Sequence, residues 1–278
     1  MIELSNKICT PGVGLRPTHY SYLDSNHDLS VKWFEAISEN YMDSFGRPRL
    51  MLNKIRQRFP VALHGVSMNL ASPHGLCDIY LTKLKNLIDE IEPFHVSDHL
   101  CWTGIKPSNI HDLLPFPFVK ENLNTIVNNI DYAQNKLGRT ILIENVSTYM
   151  SFKQSEMTEW NFLEEVIKRT DAGILLDINN IYVNAKNHNF DAEKYIEAIP
   201  PSLVKQIHLA GYSDTGEFLF DTHSMPVYPE VWKLFSRFIE KAPNVPFMVE
   251  WDEQIPEFPI VQNEVNKAIT LWEEIHGK

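Results

Sequence analysis

Residues 140–177 have the sequence TILIENVSTYMSFKQSEMTEWNFLEEVIKRTDAGILLD, which contains two strand-like runs separated by a helix-like segment. The runs Thr140–Glu144 and Gly173–Asp177 are short and apolar, as buried strands are. Trp160–Arg169, between them, is amphipathic and of helical length. Strands that alternate with helices form parallel sheets, because the helix returns the chain to the edge where the first strand began. This stretch therefore predicts one β–α–β unit.

The same unit recurs along the whole chain. Six further strands are predicted at Val13–Arg16, Trp33–Ile37, Val61–His64, Phe94–Asp98, Lys205–Leu209 and Pro246–Glu250. Further helices are predicted at Asp78–Glu92, Glu121–Leu137, Ala192–Ala198, Glu230–Lys241 and Val261–Ile275. Eight strands are the number that a closed (β/α)8 barrel requires, and no linker-like or low-complexity stretch divides them. We therefore predict an α/β fold, a single TIM-type barrel domain over residues 1–278, with long loops at Thr103–Pro117 and Gly211–Pro229.

The overall composition indicates a soluble protein that does not bind nucleic acid. Of the 278 residues, 44% are hydrophobic and 22% are charged, as in ordinary globular proteins. The formal net charge is −11 and Lys and Arg form no run, which argues against contact with phosphate backbones. No secretory signal and no bilayer-spanning apolar stretch is evident, and the three cysteines form no CxxC pair. We expect a cytoplasmic protein with free thiols and no membrane partner.

Metal-ligand side chains end or directly follow six of the eight predicted strands. They are His64, His99, Glu144, Asp177, His208 and Glu250. Side chains along a strand alternate between its two faces, so Glu144 shares a face with Leu142. If these faces point into the barrel, the six side chains meet at its C-terminal mouth, where the loops after strands build active sites. Asp221 and His223, after the seventh strand, extend the set to four carboxylates and four imidazoles.

Each of these residues also has an ordinary structural explanation. A single histidine at a strand end is usually a hydrogen-bonded core residue, and Asp177 is well placed to cap the helix that follows it. The whole set is harder to explain without cations, because two like charges about 4 Å apart repel by roughly 4 kcal/mol at an effective dielectric constant of about 20. Imidazole and carboxylate without thiolate suit iron, manganese or zinc, and argue against copper(I), iron–sulfur clusters and magnesium alone. The donors do not decide between iron and zinc.

Nine segments of the chain together resemble the methanobactin-oxidase-like family of multinuclear non-heme iron-dependent oxidases. They are GVGLRP, FEAISENYM, LHGVSMNL, HVSDHLCW, ILIENVSTY, LLDINNIYVNA, IHLAGY, DTH and VEWD, in this order along nearly the whole chain. The resemblance implies a TIM barrel that uses molecular oxygen to modify cysteine residues of ribosomally made peptides. It also implies a mixed-valence iron pair that binds the substrate thiolate, a ferrous ion that activates oxygen, and often a small partner protein that delivers the peptide.

The resemblance also implies ligands for two or three iron ions, position by position. His64 and His99 would bind the first ion, and Glu144 would bridge it to the second. The second ion would also be held by Asp177, His208 and Glu250. A third, more weakly held ion would be bound by Asp221 and His223. Asn180 is implied as a further ligand or as a hydrogen-bond donor to one. Zinc or manganese is expected to replace iron in some preparations.

Three further residues are candidates for roles around this centre. Asp252 alternates with Glu250, so it is a candidate base or hydrogen-bond acceptor, or else a solvated loop acid. Arg16 ends the first predicted strand and is a candidate for binding a substrate carboxylate, with a structural ion pair as the alternative. His95 alternates with His99, and we expect it to form a core hydrogen bond below the ligands.

Other functions remain open from the residues alone. A three-zinc barrel that hydrolyses phosphodiesters, as in apurinic-site endonucleases, uses similar donors, although the acidic charge disfavours a DNA substrate. A sugar isomerase with two divalent cations uses the same barrel, but no lysine is suitably placed at a strand end. A metal- or peptide-binding barrel without turnover would keep the same cavity. We rank the oxidase first, the hydrolase second and the binding module third.

Overall fold

Eight parallel strands close into a barrel in the computed structural model, which describes residues 9–25, 28–105 and 108–277. The barrel strands are β1 (Pro11–Gly14), β2 (Trp33–Ile37), β3 (Val61–Gly65), β4 (Val96–His99), β5 (Leu142–Glu144), β6 (Gly173–Asp177), β7 (Val204–Leu209) and β8 (Phe247–Val249). Each strand pairs with the next along the chain, and β8 pairs with β1 to close the cylinder. The predicted TIM-type barrel is confirmed.

Helices follow most of the strands and complete the barrel. They are α1 (Tyr20–Asp24), α2 (Glu39–Met42), α3 (Arg47–Arg56), α4 (Asp78–Ile91), α5 (Lys120–Leu137), α6 (Glu159–Thr170), α7 (Ile178–His188), α8 (Ala192–Ala198), α9 (Pro229–Ile239) and α10 (Phe258–His276). The long helices bury one apolar stripe in the core, as Leu84, Leu87 and Ile91 do on α4. Within the described ranges, no helix is both long and apolar enough to cross a membrane.

Both segments predicted as long loops contain antiparallel strand pairs. The pairs are Trp102–Ile105 with Ser108–Leu114, and Ser213–Asp214 with Leu219–Phe220. The first begins one residue before the predicted loop Thr103–Pro117, and the second lies within Gly211–Pro229. Both pairs follow strands of the barrel, so they stand at the C-terminal mouth, where the loops of this fold are inserted.

The first strand lies two residues earlier than the sequence predicts. It covers Pro11–Gly14 instead of Val13–Arg16. The Leu15 amide still donates to Glu35 O over 2.6 Å, but Pro17 then begins a 3-10 turn and cannot extend a strand ladder, because it has no N–H. Arg16 therefore lies beyond the strand, at the mouth of the barrel.

The interior of the barrel has an apolar layer below a polar layer. Trp33, Ala62 and Met248 pack together near the N-terminal end. Each is followed, two residues later on the same face, by a buried polar side chain: Glu35, His64 and Glu250. Gly12 leaves room for Trp33, because a Cβ atom there would lie 2.3 Å from the indole Cε2. The indole thus closes the lower end, and polar side chains occupy the upper end.

Candidate metal centre

The strand ends place six metal-ligand side chains at the C-terminal mouth of the barrel. They are His64 on β3, His99 on β4, Glu144 on β5, Asp177 on β6, His208 on β7 and Glu250 immediately after β8. All six are buried, with 7% or less of their surface exposed. Because parallel strands end at one rim, His99 is in register with Glu144, and Asp177 with His208. The sequence prediction that these side chains converge therefore agrees with the geometry.

Glu144 lies at the middle of this group. Its Oε2 atom is 3.2 Å from Nε2 of His64 and 3.3 Å from Nε2 of His99. Its Oε1 atom is 3.6 Å from Nδ1 of His208. A carboxylate whose two oxygens face different imidazoles has the geometry of a bridge between two metal ions.

A second group forms around His208. The donor atoms of Glu144, Asp177 and His208 all lie within 4.8 Å of one another. The Nδ1 atom of His208 also lies 3.0 Å from Glu250 Oε2. His208 and Asp177 are completely buried, so a charge at this point is shielded from water by protein alone.

His223 and Asp221 reach the same centre from the loop after β7. The Nε2 atom of His223 lies 2.6 Å from Asp221 Oδ1 and 3.9 Å from Asp177 Oδ2. Its Nδ1 atom lies 3.1 Å from Asp252 Oδ2 and 3.3 Å from Glu250 Oε2. The donor atoms of Asp177, His223 and Glu250 lie within 4.8 Å of one another, so Glu250 lies between the second and third groups. His223 has a left-handed backbone (φ 45°), a conformation that costs free energy in a non-glycine residue.

Each of the four imidazoles uses one ring nitrogen for a partner outside the group. The contacts are His64 Nδ1 with Ser97 Oγ (2.8 Å), His99 Nδ1 with Gly65 O (3.0 Å), His208 Nε2 with Glu35 Oε2 (3.2 Å) and His223 Nδ1 with Asp252 Oδ2 (3.1 Å). The opposite nitrogen of each ring faces the carboxylates. Metal-binding histidines are anchored in this way, since the outer hydrogen bond fixes the ring and its tautomer.

Several donor atoms of the centre have no hydrogen-bond partner among the described residues. They are Glu35 Oε1, Glu144 Oε2, Asp177 Oδ2, Asn180 Oδ1, His208 Nδ1 and His223 Nε2, all buried. Their nearest polar neighbours are other members of the cluster, as Asp221 Oδ1 is for His223 Nε2 at 2.6 Å. A buried polar atom left unsatisfied costs about 1–3 kcal/mol, and six in one place would be expensive without a ligand. The unpartnered atoms are all oxygen or imidazole nitrogen, so this donor set fits metal ions.

The pKa values of these side chains show how strongly their charges interact. Burial opposes a charge on His208, but the carboxylates of Glu35 and Glu250 outweigh burial and raise the pKa of His208 well above its ordinary value. Burial raises the pKa of Glu144 to about 7, although His208 opposes that shift. Burial and the neighbouring imidazoles lower the pKa of His64 well below its ordinary value. Metal ions bound at these side chains would compete with protons for the same atoms.

Comparison with known proteins identifies the family of the chain. Residues 10–273 match the family of RiPP precursor modification enzymes MbnB/TglH/ChrH, where RiPP denotes a ribosomally made and then modified peptide. The chain belongs to this family. The family resemblance found in the sequence motifs is thus confirmed, and the family description makes the chain an enzyme that acts on a precursor peptide.

Relatives within the family are similar over almost their full length. The chain is 49% identical over 258 residues to a UPF0276 protein of Rhizorhabdus wittichii, with 92% of each chain covered. It is 44% identical over 259 residues to a UPF0276 protein of Acaryochloris marina, with 93% of each covered. These proteins carry no functional name, so they extend the family without adding a substrate.

Solved structures share the barrel at low sequence identity. A D-psicose 3-epimerase crystallised with D-fructose has a TM-score of 0.59 and 10% identity, and the match covers 97% of this chain and 100% of the epimerase chain. Endonuclease IV from Thermus thermophilus has a TM-score of 0.58 and 12% identity, covering 95% and 99% of the two chains. At these identities the likeness shows the fold alone.

Asp177 caps the helix that follows it and also faces the cluster. Its Oδ1 atom accepts a hydrogen bond of 2.6 Å from the amide of Asn180 and so caps α7, while its Oδ2 atom faces His223. The Asn180 side chain donates to Asn145 O over 3.1 Å, and its unpartnered Oδ1 belongs to the same buried region. Asn179 donates to Asp221 Oδ1 over 2.8 Å and holds that carboxylate in place.

Arg16 and Asp252 form an ion pair beside the centre. The Arg16 guanidinium contacts Asp252 closely, lies 3.3 Å from Glu250 Oε1 and donates to Trp251 O over 3.1 Å. Only 6% of Arg16 is exposed, and it forms the structural ion pair considered from the sequence, while its Nη1 atom has no hydrogen-bond partner among the described residues. The Asp252 side chain is 42% exposed, so it faces both His223 and the solvent at the mouth.

Sequence reasoning missed Glu35, which is completely buried and contacts His208. The signal was present, because Glu35 is an acid in the middle of the buried strand Trp33–Ile37, where a charge needs a partner. The interpretation of His95 agrees with the structure: its Nδ1 atom lies 3.1 Å from Gln206 Oε1, which is a core hydrogen bond.

Proposed function

We propose that the protein is an iron-dependent oxidase that uses molecular oxygen to modify a cysteine residue of a ribosomally made precursor peptide. The observation that carries this proposal is the buried cluster of imidazoles and carboxylates with unpartnered donor atoms at the mouth of the barrel. A peptide substrate follows from the family, and the choice of iron and oxygen follows from the resemblance in the sequence motifs. A small partner protein that delivers the peptide is part of the same proposal.

Two or three iron ions would be held by the converging side chains. The proposed ligands are His64 and His99 for the first ion, Glu144 as the bridge, Asp177, His208 and Glu250 for the second, and Asp221 and His223 for the third, with Asn180 beside them and Glu250 also near the third. When bound, the iron would supply the redox chemistry with oxygen and favour the thiolate form of the substrate cysteine. Zinc or manganese would occupy the same donors without that redox chemistry.

The other residues near the centre hold the ligands and move protons. Asp252 is the neighbour of the cluster with the most exposed carboxylate, so we assign it to accept the proton of the incoming thiol. Its contact with His223 Nδ1 also holds that ring with Nε2 turned inward. Arg16 is assigned to hold Glu250 and Asp252 together, and its unpartnered Nη1 atom is the candidate for binding a substrate carboxylate.

The test is metal analysis combined with oxygen consumption. Protein purified without oxygen is expected to contain about two or three iron ions per chain by elemental analysis and Mössbauer spectroscopy. Oxygen uptake is expected with a cysteine-containing precursor peptide and not with its Cys→Ser form. Glu144→Gln should abolish uptake, whereas Glu253→Gln, an exposed acid three residues after Glu250, should not.

The hydrolase is the competing outcome of the same measurement. Its donors would be the same, and a zinc-loaded protein would then cleave phosphodiesters. Two or more zinc ions, no response to iron and phosphodiester cleavage would overturn the oxidase proposal. Stable iron with peptide binding but no oxygen uptake would instead support the non-catalytic module.

A further inference from the structure

Glu35 is a buried acid that belongs to none of the proposed metal ligands. It lies in the middle of β2, on the same face as Trp33, and it has no exposed surface. Its two oxygens lie 3.1 Å and 3.2 Å from Nε2 of His208. Its Oε2 atom also accepts a hydrogen bond of 2.5 Å from Nε2 of Gln206, which precedes His208 by two residues on β7.

The hydrogen bonds continue from Gln206 to His95 at the other end of the barrel. Gln206 Oε1 accepts from His95 Nδ1 over 3.1 Å. His95 and Arg139 line a cavity of about 610 Å³, which lies at the N-terminal end because His95 precedes β4. An amide donates only through nitrogen and accepts only through oxygen, so each hydrogen bond in this series is directed toward Glu35.

The contacts of Nε2 favour one tautomer of His208. Nε2 lies 3.1 Å and 3.2 Å from the two oxygens of Glu35 and 3.2 Å from Gln206 Nε2. The carboxylate is charged and only accepts, so it favours the proton on Nε2 and leaves Nδ1 for a metal ion. Nδ1 is the atom that lies 3.0 Å from Glu250 Oε2 and 3.6 Å from Glu144 Oε1. His64 and His99 have their outer partners at Nδ1 and face the cluster with Nε2. In His208 the two nitrogens have the reverse roles, with the outer partner at Nε2 and Nδ1 facing the cluster.

A role of Glu35 as a metal ligand fits the geometry less well. Donor atoms of Glu35, His208 and Glu250 do lie within 4.8 Å of one another. Glu35 Oε1 is also a buried atom without a hydrogen-bond partner among the described residues. However, the Gln206 amide already donates to Glu35 Oε2, and His208 Nε2 faces both carboxylate oxygens. A cation at this point would have to displace two N–H donors that the fold directs at the carboxylate.

We propose that Glu35, held by Gln206 and His95, is a positioning residue that fixes His208 as an Nδ1 ligand. The inference rests on the metal centre of the proposed function but not on iron, oxygen or a peptide. Loss of this anchor should weaken the ion bound by His208 and leave the ion of His64 and His99 in place. Outer partners of this kind change metal affinity by about 10–100-fold.

The first test reads the tautomers directly in wild-type protein. The full-length chain, labelled with ¹⁵N-histidine and loaded with zinc as a diamagnetic probe, is examined by long-range ¹H–¹⁵N correlation spectroscopy. We expect one metal-bound histidine with zinc at Nδ1 and a protonated Nε2, and we expect that signal to be absent in His208→Gln. Metal at Nε2 of every bound histidine would overturn the proposal. Absence of zinc binding altogether would instead refute the metal centre itself.

The second test measures zinc affinity by competition with a chromophoric chelator. Glu35→Gln should release one class of zinc at about 10–100-fold lower chelator concentration than wild type, while the remaining zinc is unchanged. Gln206→Met should show a smaller shift in the same class. The matched control is Glu264→Gln, because Glu264 is a buried acid on α10, 5% exposed, whose ion pair is with Lys267. Equal release curves for Glu35→Gln and Glu264→Gln would overturn the proposal, as would equal weakening of every zinc ion.

Discussion

At the scale of single residues, the metal centre depends on imidazoles that are anchored from outside the cluster. A histidine has two nitrogens, and the partner of one decides what the other presents. Ser97, which is 1% exposed, holds His64 through Nδ1 over 2.8 Å. The ring of His64 then packs against that of His99, with centroids 4.5 Å apart. Affinity for metal should therefore respond to residues that touch no ion.

Replacement of this anchor gives the first prediction at the residue scale. Ser97→Ala should lower the affinity of the ion held by His64 and His99 by about tenfold, because the His64 ring loses the contact that orients it. Zinc competition measures the change. Ser236→Ala, which removes a helix hydroxyl bonded to Trp232 O, is the control and should have wild-type affinity. Unchanged affinity in Ser97→Ala would show that the hydroxyl does not support the ligand.

The bridging carboxylate gives a second prediction. Glu144→Gln should remove most of the bound metal. The two carboxylate oxygens of Glu144 face three imidazoles, whereas the glutamine amide is uncharged and has only one oxygen. His64→Ala should remove less, since the remaining groups keep their donors. The far-UV CD signal should stay close to wild type in both, as neither residue lies in a helix. Full metal retention in both variants would contradict the ligand assignment.

Residues differ in how far their roles could be predicted from the sequence. His64 and Glu144 follow apolar runs, so strand alternation alone directs them to the mouth of the barrel. Glu35 was missed because it stands inside its run, and because its partner His208 lies 173 positions away. Arg16 joins Glu250 over 234 positions. Contacts of such range depend on barrel closure, which a local pattern does not contain.

At the scale of elements, the end of β6 and the start of α7 share one residue. Asp177 ends the strand, caps the helix through Oδ1 and turns Oδ2 to the metal centre. The end of β6, the cap of α7 and the carboxylate that faces the metal centre therefore all depend on the position of Asp177. Asn145 adds to this junction, since its side chain bonds both the amide and the carbonyl of Asp177 over 2.9 Å.

The two roles of Asp177 can be separated by substitution, which is the third prediction. Asp177→Asn keeps an oxygen for the cap and should leave the free energy of unfolding of the metal-free protein nearly unchanged. Asp177→Ala removes the cap and should cost about 1 kcal/mol. Both variants should lose metal to a similar extent. Urea denaturation and metal analysis measure the two effects, and equal destabilisation by both variants would mean that the cap contributes little.

Most long helices are predicted from their spacing, but α3 and α7 are not, and neither are the short antiparallel strands. The helix predicted at Glu121–Leu137 is Lys120–Leu137, and the helix predicted at Ala192–Ala198 has those bounds. The sequence predicts a loop where the structure has the strands Trp102–Ile105 and Ser108–Leu114. Gly104 and the prolines nearby are typical of loops, so the pattern of the short strands is not recognised. Helical spacing repeats over several turns, whereas a short hairpin repeats too few times to be recognised.

The start of α6 gives a fourth prediction, which concerns pH. Burial raises the pKa of Glu159 to about 8, although a hydrogen bond from Asn184 opposes the shift. The pKa of the folded state is thus above the ordinary 4.5, so folding favours the protonated acid. Protonation of Glu159 therefore contributes to the free energy of unfolding. This contribution is complete below about pH 4.5 and is lost as the pH rises through about 8.

Glu159→Gln should therefore remove part of the pH dependence of unfolding. At about pH 9 the variant should exceed wild type by about 1–3 kcal/mol, because it has no charge to bury. Urea denaturation across the pH range measures this difference. Glu165→Gln on the same helix, whose side chain is 41% exposed, should follow wild type. Parallel stability profiles for Glu159→Gln and wild type would contradict the predicted shift.

At the scale of the whole molecule, the barrel separates an apolar lower end from a charged upper end. Trp33, Ala62 and Met248 fill the lower interior, while four carboxylates and four imidazoles meet above them. The apolar layer favours folding and the charged layer opposes it unless cations are bound. The same arrangement that prepares a metal site therefore makes the folded state depend on metal.

The last prediction is that metal binding raises the stability of the entire fold. A ligand at a hundred times its Kd stabilises the folded state by about 2.7 kcal/mol, which in a domain of this size raises Tm by about 5–10 °C. Differential scanning calorimetry of metal-loaded and chelator-treated protein should show this difference.

The variant Glu144→Gln should reduce the difference in Tm, because the substitution removes the carboxylate between His64 and His208. Glu264→Gln should keep the full shift, since it changes a buried acid outside the barrel mouth. The same Tm with and without metal would mean that the cluster folds without cations, and the unpartnered atoms of Glu144 and Asp177 would then need another explanation.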